Sequence, residues 1–183
     1  MLEHLRRRVL SSLLPAWNAP EASGVRAHSA AALSPTGSMR RAPRGPVLML
    51  DIDGVLHPGQ AGSLIYLPML EDWLRQHPQV DVVVSSNWRE TRSLDELQSL
   101  FSFDIRVRII GTTPVIPGAR REDEIAALAD EYGIEQWAAV DDRGSGFPHT
   151  GQHRLAKTES LDGLTKQTFE RLEEILSLPA KSR

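Results

Sequence analysis

The sequence contains no cysteine, which excludes disulfide bonds and thiolate metal ligands. Any bound metal ion must therefore be held by oxygen or imidazole nitrogen atoms. Long hydrophobic runs are also missing, since no segment approaches the roughly 20 apolar residues that a membrane-spanning helix requires. From these absences we expect a soluble cytoplasmic protein without a membrane partner.

Positive charge is concentrated at the amino-terminal end. Residues 1–46 contain seven arginines and two glutamates, so this segment carries +5 and the remainder −8 within a total of −3. Residues 15–46 are rich in Ala, Ser, Pro, Gly and Arg and show no sustained apolar period, so burial cannot offset the entropy cost of ordering them. We predict a disordered basic tail over residues 1–45, with amphipathic helical spacing at 2–14, and a folded domain over residues 46–183.

From residue 47 onward, short apolar runs alternate with segments of helical periodicity. Such runs indicate strands buried on both faces of a sheet, at 47–50, 80–84, 105–110, 137–140 and, more weakly, 153–157. Helices are predicted over 69–76, 93–100, 122–132 and 164–176. The alternation predicts an α/β fold in which a parallel sheet lies between layers of helices.

Polar residues follow three of these strands directly. They are Asp51 and Asp53 after the first strand, Ser85, Ser86 and Asn87 after the second, and Asp141 and Asp142 after the fourth. Sites in open α/β sheets lie at the carboxyl ends of the strands, so we expect these side chains to converge. Converging carboxylates repel one another unless a hard cation lies between them, and oxygen ligands favour Mg²⁺. The pattern predicts a magnesium site.

A phosphoryl-binding site is predicted beside this metal. A hydroxyl and backbone amides after the second strand, with a cation at a helix start, are suited to bind a phosphoryl group. Ser85 and Ser86 both fit the hydroxyl position. Arg120 and Arg121 both fit the position of the cation, and Arg121 has the better spacing to the first apolar residue of its helix, Ile125.

At these residues the chain resembles the haloacid dehalogenase (HAD) superfamily over roughly residues 46–178. The four matching motifs are Asp51-Ile52-Asp53-Gly54-Val55-Leu56, Ser86 at the end of an apolar strand, Arg121, and Asp141-Asp142. The third motif departs from the usual pattern, because Arg stands where the family usually has Lys. The segments Ser85-Ser86-Asn87-Trp88-Arg89 and Gly111-Thr112-Thr113-Pro114 are similar to those of small HAD-like domains in multidomain RNA repair proteins.

The resemblance implies a three-layer α/β sandwich with a Rossmann-like parallel sheet and a two-step phosphohydrolase mechanism. Asp51 would be the nucleophile that forms an aspartyl-phosphate, and Asp53 would act first as acid and then as base. Phosphate would be bound by Ser86, Asn87 and Arg121. Mg²⁺ would be held by Asp51, the Asp53 carbonyl, and Asp141 or Asp142, with Asp141 slightly favoured as the direct ligand.

The spacing of the motifs leaves no room for a lid domain, because residues 56–82 and 88–118 are filled by the predicted helices and strands. An open site suits a large substrate, such as a phosphorylated nucleic-acid end or a phosphoprotein. The alternatives are a promiscuous small-molecule phosphatase and a non-catalytic binding module. Residues predicted at the rim of the site are His57, Arg89, Arg92, Arg143 and His149, while Trp88 is predicted to pack against a neighbouring helix.

Overall fold

The computed structural model describes residues 37–179, and its centre is a sheet of five parallel strands. The strands are β1 (Val47–Leu50), β2 (Asp81–Val84), β3 (Ile109–Thr112), β4 (Trp137–Asp141) and β5 (Leu155–Lys157). Their order across the sheet is β3-β2-β1-β4-β5, so β1 occupies the middle.

Six α-helices accompany the sheet in the described range. They are α1 (Leu67–Gln76), α2 (Leu94–Gln98), α3 (Phe103–Arg106), α4 (Arg121–Tyr132), α5 (Gly151–Arg154) and α6 (Lys166–Ile175). Short 3₁₀ segments follow β2 at Asn87–Glu90 and β4 at Gly144–Gly146. Within residues 37–179, no helix is long and apolar enough to cross a membrane.

The sheet separates two hydrophobic cores, because side chains along each strand alternate between its faces. Leu48 and Leu50 of β1 pack in the core formed with α1, α2 and α6, whereas Val47 and Met49 pack in the core formed with α4. The domain is therefore a three-layer α/β sandwich with a Rossmann-like parallel sheet, which confirms the predicted fold class.

The second predicted strand begins one residue too early, since β2 starts at Asp81, and two others begin earlier still relative to the observed strands. Residues 105 and 106 belong to α3, and β3 begins only at residue 109. Val107 is 62% exposed, so the apolar run that predicted a strand at 105–110 does not correspond to burial there. Likewise, residues 153 and 154 complete α5, and β5 begins at residue 155.

Residues 38–41 pack against the sheet, although composition placed them in the tail that precedes residue 46. The Arg40 N–H donates to the Ile110 carbonyl at 2.8 Å, and the Thr112 N–H donates to the Ser38 carbonyl at 2.9 Å. Arg41 forms an ion pair with the buried Asp81 at 2.5 Å. These backbone bonds satisfy the open edge of β3, so the packed chain includes residues before 46. The predicted helix at 2–14 lies outside the described residues.

No lid domain interrupts the described chain, as the motif spacing predicted. The connection between β1 and β2 contains α1 alone among helices and strands. The connection between β2 and β3 contains a 3₁₀ segment, α2 and α3, all of them short. The carboxyl edge of the sheet therefore remains uncovered by any inserted domain within residues 37–179.

Candidate active site

The carboxyl ends of β1, β2 and β4 meet at the middle of the sheet. Leu50 of β1 lies in register with Val84 of β2 on one side and with Val140 of β4 on the other. The polar residues that follow these three positions are therefore brought together at one edge. The expected convergence of side chains from three strands is found in the structure.

Asp51 lies at the centre of this edge and is only 4% exposed. Its backbone N–H donates to the Val140 carbonyl at 3.0 Å, which continues the pairing of β1 with β4. Burial raises the pKa of the Asp51 carboxyl above its ordinary value, and the charge of Arg121 and a hydrogen bond from Ser86 oppose this effect. Asp51 is thus a buried carboxylate with a cation and a hydroxyl as partners.

Three carboxylates form what we call the acidic cluster, which consists of Asp51, Asp141 and Asp142. One oxygen of each lies within 4.8 Å of the others. Burial and the neighbouring charge of Asp51 raise the pKa of Asp141 to about 7, because three anions in a buried space destabilise one another. A set of carboxylate oxygens at this spacing fits a hard divalent cation such as Mg²⁺, whose charge would remove that repulsion.

Arg121, the first residue of α4, supplies the cation next to the acidic cluster. Its Nη2 donates to Asn87 Oδ1 at 2.8 Å, and its Nε lies 3.5 Å from Asp141 Oδ2. Its buried Nη1 lies 3.7 Å from Glu124 Oε2 and has no hydrogen-bond acceptor among the described residues. Arg120 is exposed, and none of its side-chain contacts within residues 37–179 reaches the cluster. Of the two candidates, only Arg121 therefore contacts the site.

The two serines after β2 differ in their contacts. Ser86 is fully buried, its hydroxyl opposes the rise in the pKa of Asp51, and it accepts the Trp88 N–H at 3.4 Å. Ser85 is also buried, but its hydroxyl has no partner among the described residues. The structure therefore brings Ser86, rather than Ser85, next to Asp51. Asn87 contacts the site by accepting the hydrogen bond from Arg121.

Asp53 is not part of the acidic cluster, and two residues contact its carboxylate. The Trp88 Nε1–H donates to both carboxylate oxygens of Asp53 at 3.2 Å. The Nε2 atom of His57 lies 3.1 Å from Asp53 Oδ1, although it is not aligned as a hydrogen bond. His57 is fully buried, so it is not the exposed rim residue that was predicted, and it contacts Asp53 instead.

A surface depression of about 350 Å³ opens beside Asp53, and we call it the Asp53 groove. Its lining residues are Asp53, His57, Gln60, Gly62, Trp88, Thr91 and Arg92. Of the five predicted rim residues, Arg92 and the buried His57 line this groove. Arg143 is exposed and lies beside the acidic cluster, where its backbone N–H donates to Asp141 Oδ1 at 2.7 Å, and the exposed His149 donates its backbone N–H to Glu122. Trp88, for which packing against a neighbouring helix was predicted, packs against the hydrophobic core and in addition binds the Asp53 carboxylate.

Arg89 is not a rim residue, because it is 5% exposed. Its guanidinium donates to four backbone carbonyls, two in the turn after β2 and two in the loop after β3, at Ser85, Ser86, Thr113 and Pro114. It also pairs with Glu124 of α4 at 2.5 Å. Arg89 therefore fixes the serine turn to α4. Its sequence position three residues after Ser86 does not reveal this role.

A parallel α/β sheet with carboxylates after β1 and β4, a serine after β2 and an arginine at the start of α4 defines a HAD-type domain. Residues 47–169 match the model of the family described as the HAD domain in Swiss Army Knife RNA repair proteins, about two thirds of the chain. The chain belongs to this family. No curated protein and no solved structure matches the chain. At the level of the superfamily, membership supports a phosphatase-type hydrolase, and such proteins generally use Mg²⁺.

Proposed function

We propose that the chain is a magnesium-dependent phosphomonoesterase that works through an aspartyl-phosphate on Asp51. The observation that carries this proposal is the contrast between the two carboxylates of the first motif. Asp51 is buried beside Ser86 and Arg121 within the acidic cluster, whereas Asp53 lines the Asp53 groove. A two-step phosphoryl transfer needs this division between a nucleophile and a separate proton carrier.

In the first step, a carboxylate oxygen of Asp51 attacks phosphorus and the bond from phosphorus to the ester oxygen breaks. The electron pair of that bond goes to the leaving oxygen, which receives the proton of Asp53. Arg121 has a buried N–H with no acceptor among the described residues, and this donor is suited to bind a phosphoryl oxygen. The Ser86 hydroxyl and the Asn87 turn complete the phosphate-binding side.

In the second step, Asp53 accepts a proton from water as the water oxygen attacks phosphorus. The bond between phosphorus and Asp51 then breaks, which releases inorganic phosphate and restores both carboxyl groups. Trp88 and His57 hold Asp53 in one position for both transfers. Positioning of this kind matters because proton transfer requires hydrogen-bond distance to the reacting oxygen.

Magnesium would be held by Asp51, the Asp53 carbonyl, and Asp141 or Asp142. When bound, it would neutralise charge on the phosphoryl group and on the carboxylates around it. The mutual closeness of the three carboxylates in the acidic cluster supports this assignment.

The substrate we propose is a phosphorylated macromolecule, with a nucleic-acid end favoured over a phosphoprotein. Two observations support this choice. The described chain has no lid domain to enclose a small substrate, and the family to which the chain belongs is described from RNA repair proteins. A promiscuous small-molecule phosphatase would share the same chemistry, so the substrate class needs its own test.

The proposal is tested by aryl phosphate hydrolysis with Mg²⁺ and with EDTA, in the wild type and in Asp51→Asn. We expect turnover that requires the metal and falls by at least about a thousandfold in Asp51→Asn, as for loss of a nucleophile. The matched control is Asp130→Asn, an exposed aspartate of α4, which should retain full activity. Mg²⁺ binding without turnover of aryl phosphate or of phosphorylated oligonucleotides would instead favour a non-catalytic binding module.

A further inference from the structure

The Asp53 groove has a defined place in the reaction if the proposed function holds, on which this inference rests. Asp53 must reach the oxygen of the leaving group to protonate it. The rest of the leaving group must therefore occupy the space next to Asp53, which is the Asp53 groove. The chemistry of the groove lining then determines which leaving groups are accepted.

The cation of this groove is Arg92, whose position is fixed by Trp88. The guanidinium carbon of Arg92 lies 4.2 Å from the centroid of the Trp88 ring, a cation–π contact. The Arg92 backbone N–H also donates to the Trp88 carbonyl at 3.0 Å. The same indole also donates its Nε1–H to the Asp53 carboxylate. Trp88 therefore contacts both Asp53, the proposed proton carrier, and Arg92.

Within residues 37–179 the Arg92 side chain forms no hydrogen bond and no ion pair at contact distance, although its charge adds to the hydrogen bonds from Ser93 that lower the pKa of Glu96. The nearby Glu96 is committed to the start of α2, where Oε2 accepts the Ser93 N–H at 2.7 Å. Other arginines near the site differ, since Arg89 and Arg121 both bind acceptors of the protein. Arg92 therefore presents an exposed, preorganised fork of N–H donors to whatever enters the groove.

We propose that Arg92 binds a second anionic group located on the leaving group, and that this group is the phosphodiester next to a terminal phosphate in a nucleotide chain. A phosphodiester carries a permanent negative charge, and the guanidinium fork matches its two free oxygens. The outer face of the same guanidinium is a surface on which a base can stack. The substrate is thus a phosphomonoester at the end of a strand, distinguished from isolated nucleoside phosphates by its neighbouring linkage.

The test compares two dinucleotides that carry the same terminal phosphate. One has a normal phosphodiester, and the other has a neutral methylphosphonate in its place. We expect the wild type to prefer the charged dinucleotide by about tenfold in kcat/KM, the size of one charge-assisted contact. Both strand polarities are measured, and the preference should weaken as salt is added, because screening reduces exposed charge interactions.

The variant is Arg92→Met, which keeps an apolar contact with Trp88 but removes the charge. In this variant, the ratio of the kcat/KM values for the two dinucleotides should fall to about one. The matched control is Arg106→Met, because Arg106 is also exposed and lies over an aromatic ring, 4.6 Å from the Phe103 centroid, but outside the Asp53 groove. This control should retain the tenfold preference.

Aryl phosphate hydrolysis, measured alongside, separates the possible failures. If the wild type hydrolyses aryl phosphate but shows no preference for the charged linkage, or if Arg92→Met keeps that preference, the inference is overturned while the proposed function stands. A stronger dependence on Arg92 with an acidic phosphopeptide than with the dinucleotide overturns the nucleic-acid assignment. Absence of any turnover on aryl phosphate and dinucleotides overturns the proposed function and the inference together.

Discussion

The indole Nε1–H of Trp88 donates to both carboxylate oxygens of Asp53, at 3.2 Å each. This pair links the turn after β2 to the turn after β1, so the second aspartate of the first motif is held by a neighbouring element. The position of the Asp53 carboxylate in the lining of the Asp53 groove depends on this contact.

Removal of the Trp88 indole N–H should therefore act mainly on the reaction rate and only weakly on the stability of the fold. We expect Trp88→Phe to lower kcat on aryl phosphate by about tenfold, because a hydrogen bond to a charged group is lost. The matched control is Trp73→Phe, which removes an indole N–H that donates to Glu173 at 3.1 Å away from the site. Steady-state kinetics of both variants check this, and equal rates for the two would contradict it.

Gly54 should be required for the acidic cluster to form. Gly54 has φ of +70°, and a Cβ atom at this position would collide with the carboxylate of Asp142. Gly54→Ala should abolish the increase in Tm that Mg²⁺ produces. Gly59→Ala is the control, because Gly59 also has positive φ, +51°, but its Cβ would meet no described atom within 4 Å. That variant should lose only about 1 kcal/mol and keep its response to Mg²⁺.

The acidic cluster should make the metal-free protein less stable as the pH rises. The pKa of Asp141 is raised to about 7 by burial and by Asp51, so the folded state binds more protons than the unfolded state between about pH 4 and 7. Stability from this group is complete below the unfolded pKa and is lost as the pH increases through 7. Stabilisation by Mg²⁺ should grow over the same range, because binding requires deprotonated ligands.

Urea unfolding in EDTA at pH 5 and pH 8 checks this expectation. Asp141→Asn should reduce the loss of stability between the two pH values, since the residue can no longer ionise. Asp130→Asn, on the exposed side of α4, should leave the loss unchanged. If the metal-free wild type were more stable at pH 8 than at pH 5 because of Asp141, the assigned direction would be wrong.

Arg89 should matter for stability rather than for substrate binding. Arg89→Met would remove the guanidinium donors from four backbone carbonyls and the charged partner from the buried Glu124, which should cost about 3 to 5 kcal/mol. Arg75→Met is the comparison, because Arg75 also binds several acidic partners but lies on the surface, where solvent screens ion pairs. Urea unfolding should give a much smaller loss for Arg75→Met, and similar losses would contradict the role of Arg89.

The sheet and its polar edge could be predicted from the sequence because both depend on local patterns. Short apolar runs marked all five strands, and the aspartates directly after β1 and β4 had to meet once the strands were parallel. The predicted contact of Arg121 with the site also follows from position, since a residue at the start of α4 faces the carboxyl edge of the sheet.

Burial of polar side chains could not be predicted, because it depends on contacts between distant segments. Arg89 and His57 are residue types that are usually exposed in loops, yet Arg89 is buried against the carbonyls of Thr113 and Pro114, and His57 is buried beside the ring of Trp88. Residues 38–41 pack through backbone hydrogen bonds to β3, which leave no trace in composition. Val107 is the opposite case. It is apolar and was predicted to lie in a buried strand, but its side chain is exposed outside the core.

The covalent intermediate on Asp51 can be tested directly. Wild-type protein with Mg²⁺ is mixed with an excess of aryl phosphate, quenched in acid within the first turnover, and analysed by mass spectrometry of its peptides. We expect a phosphoryl group on Asp51, assigned by fragmentation, and none in Asp51→Asn. A phosphoryl group on another residue, or metal-dependent turnover that persists in Asp51→Asn, would contradict the assignment of Asp51 as the nucleophile.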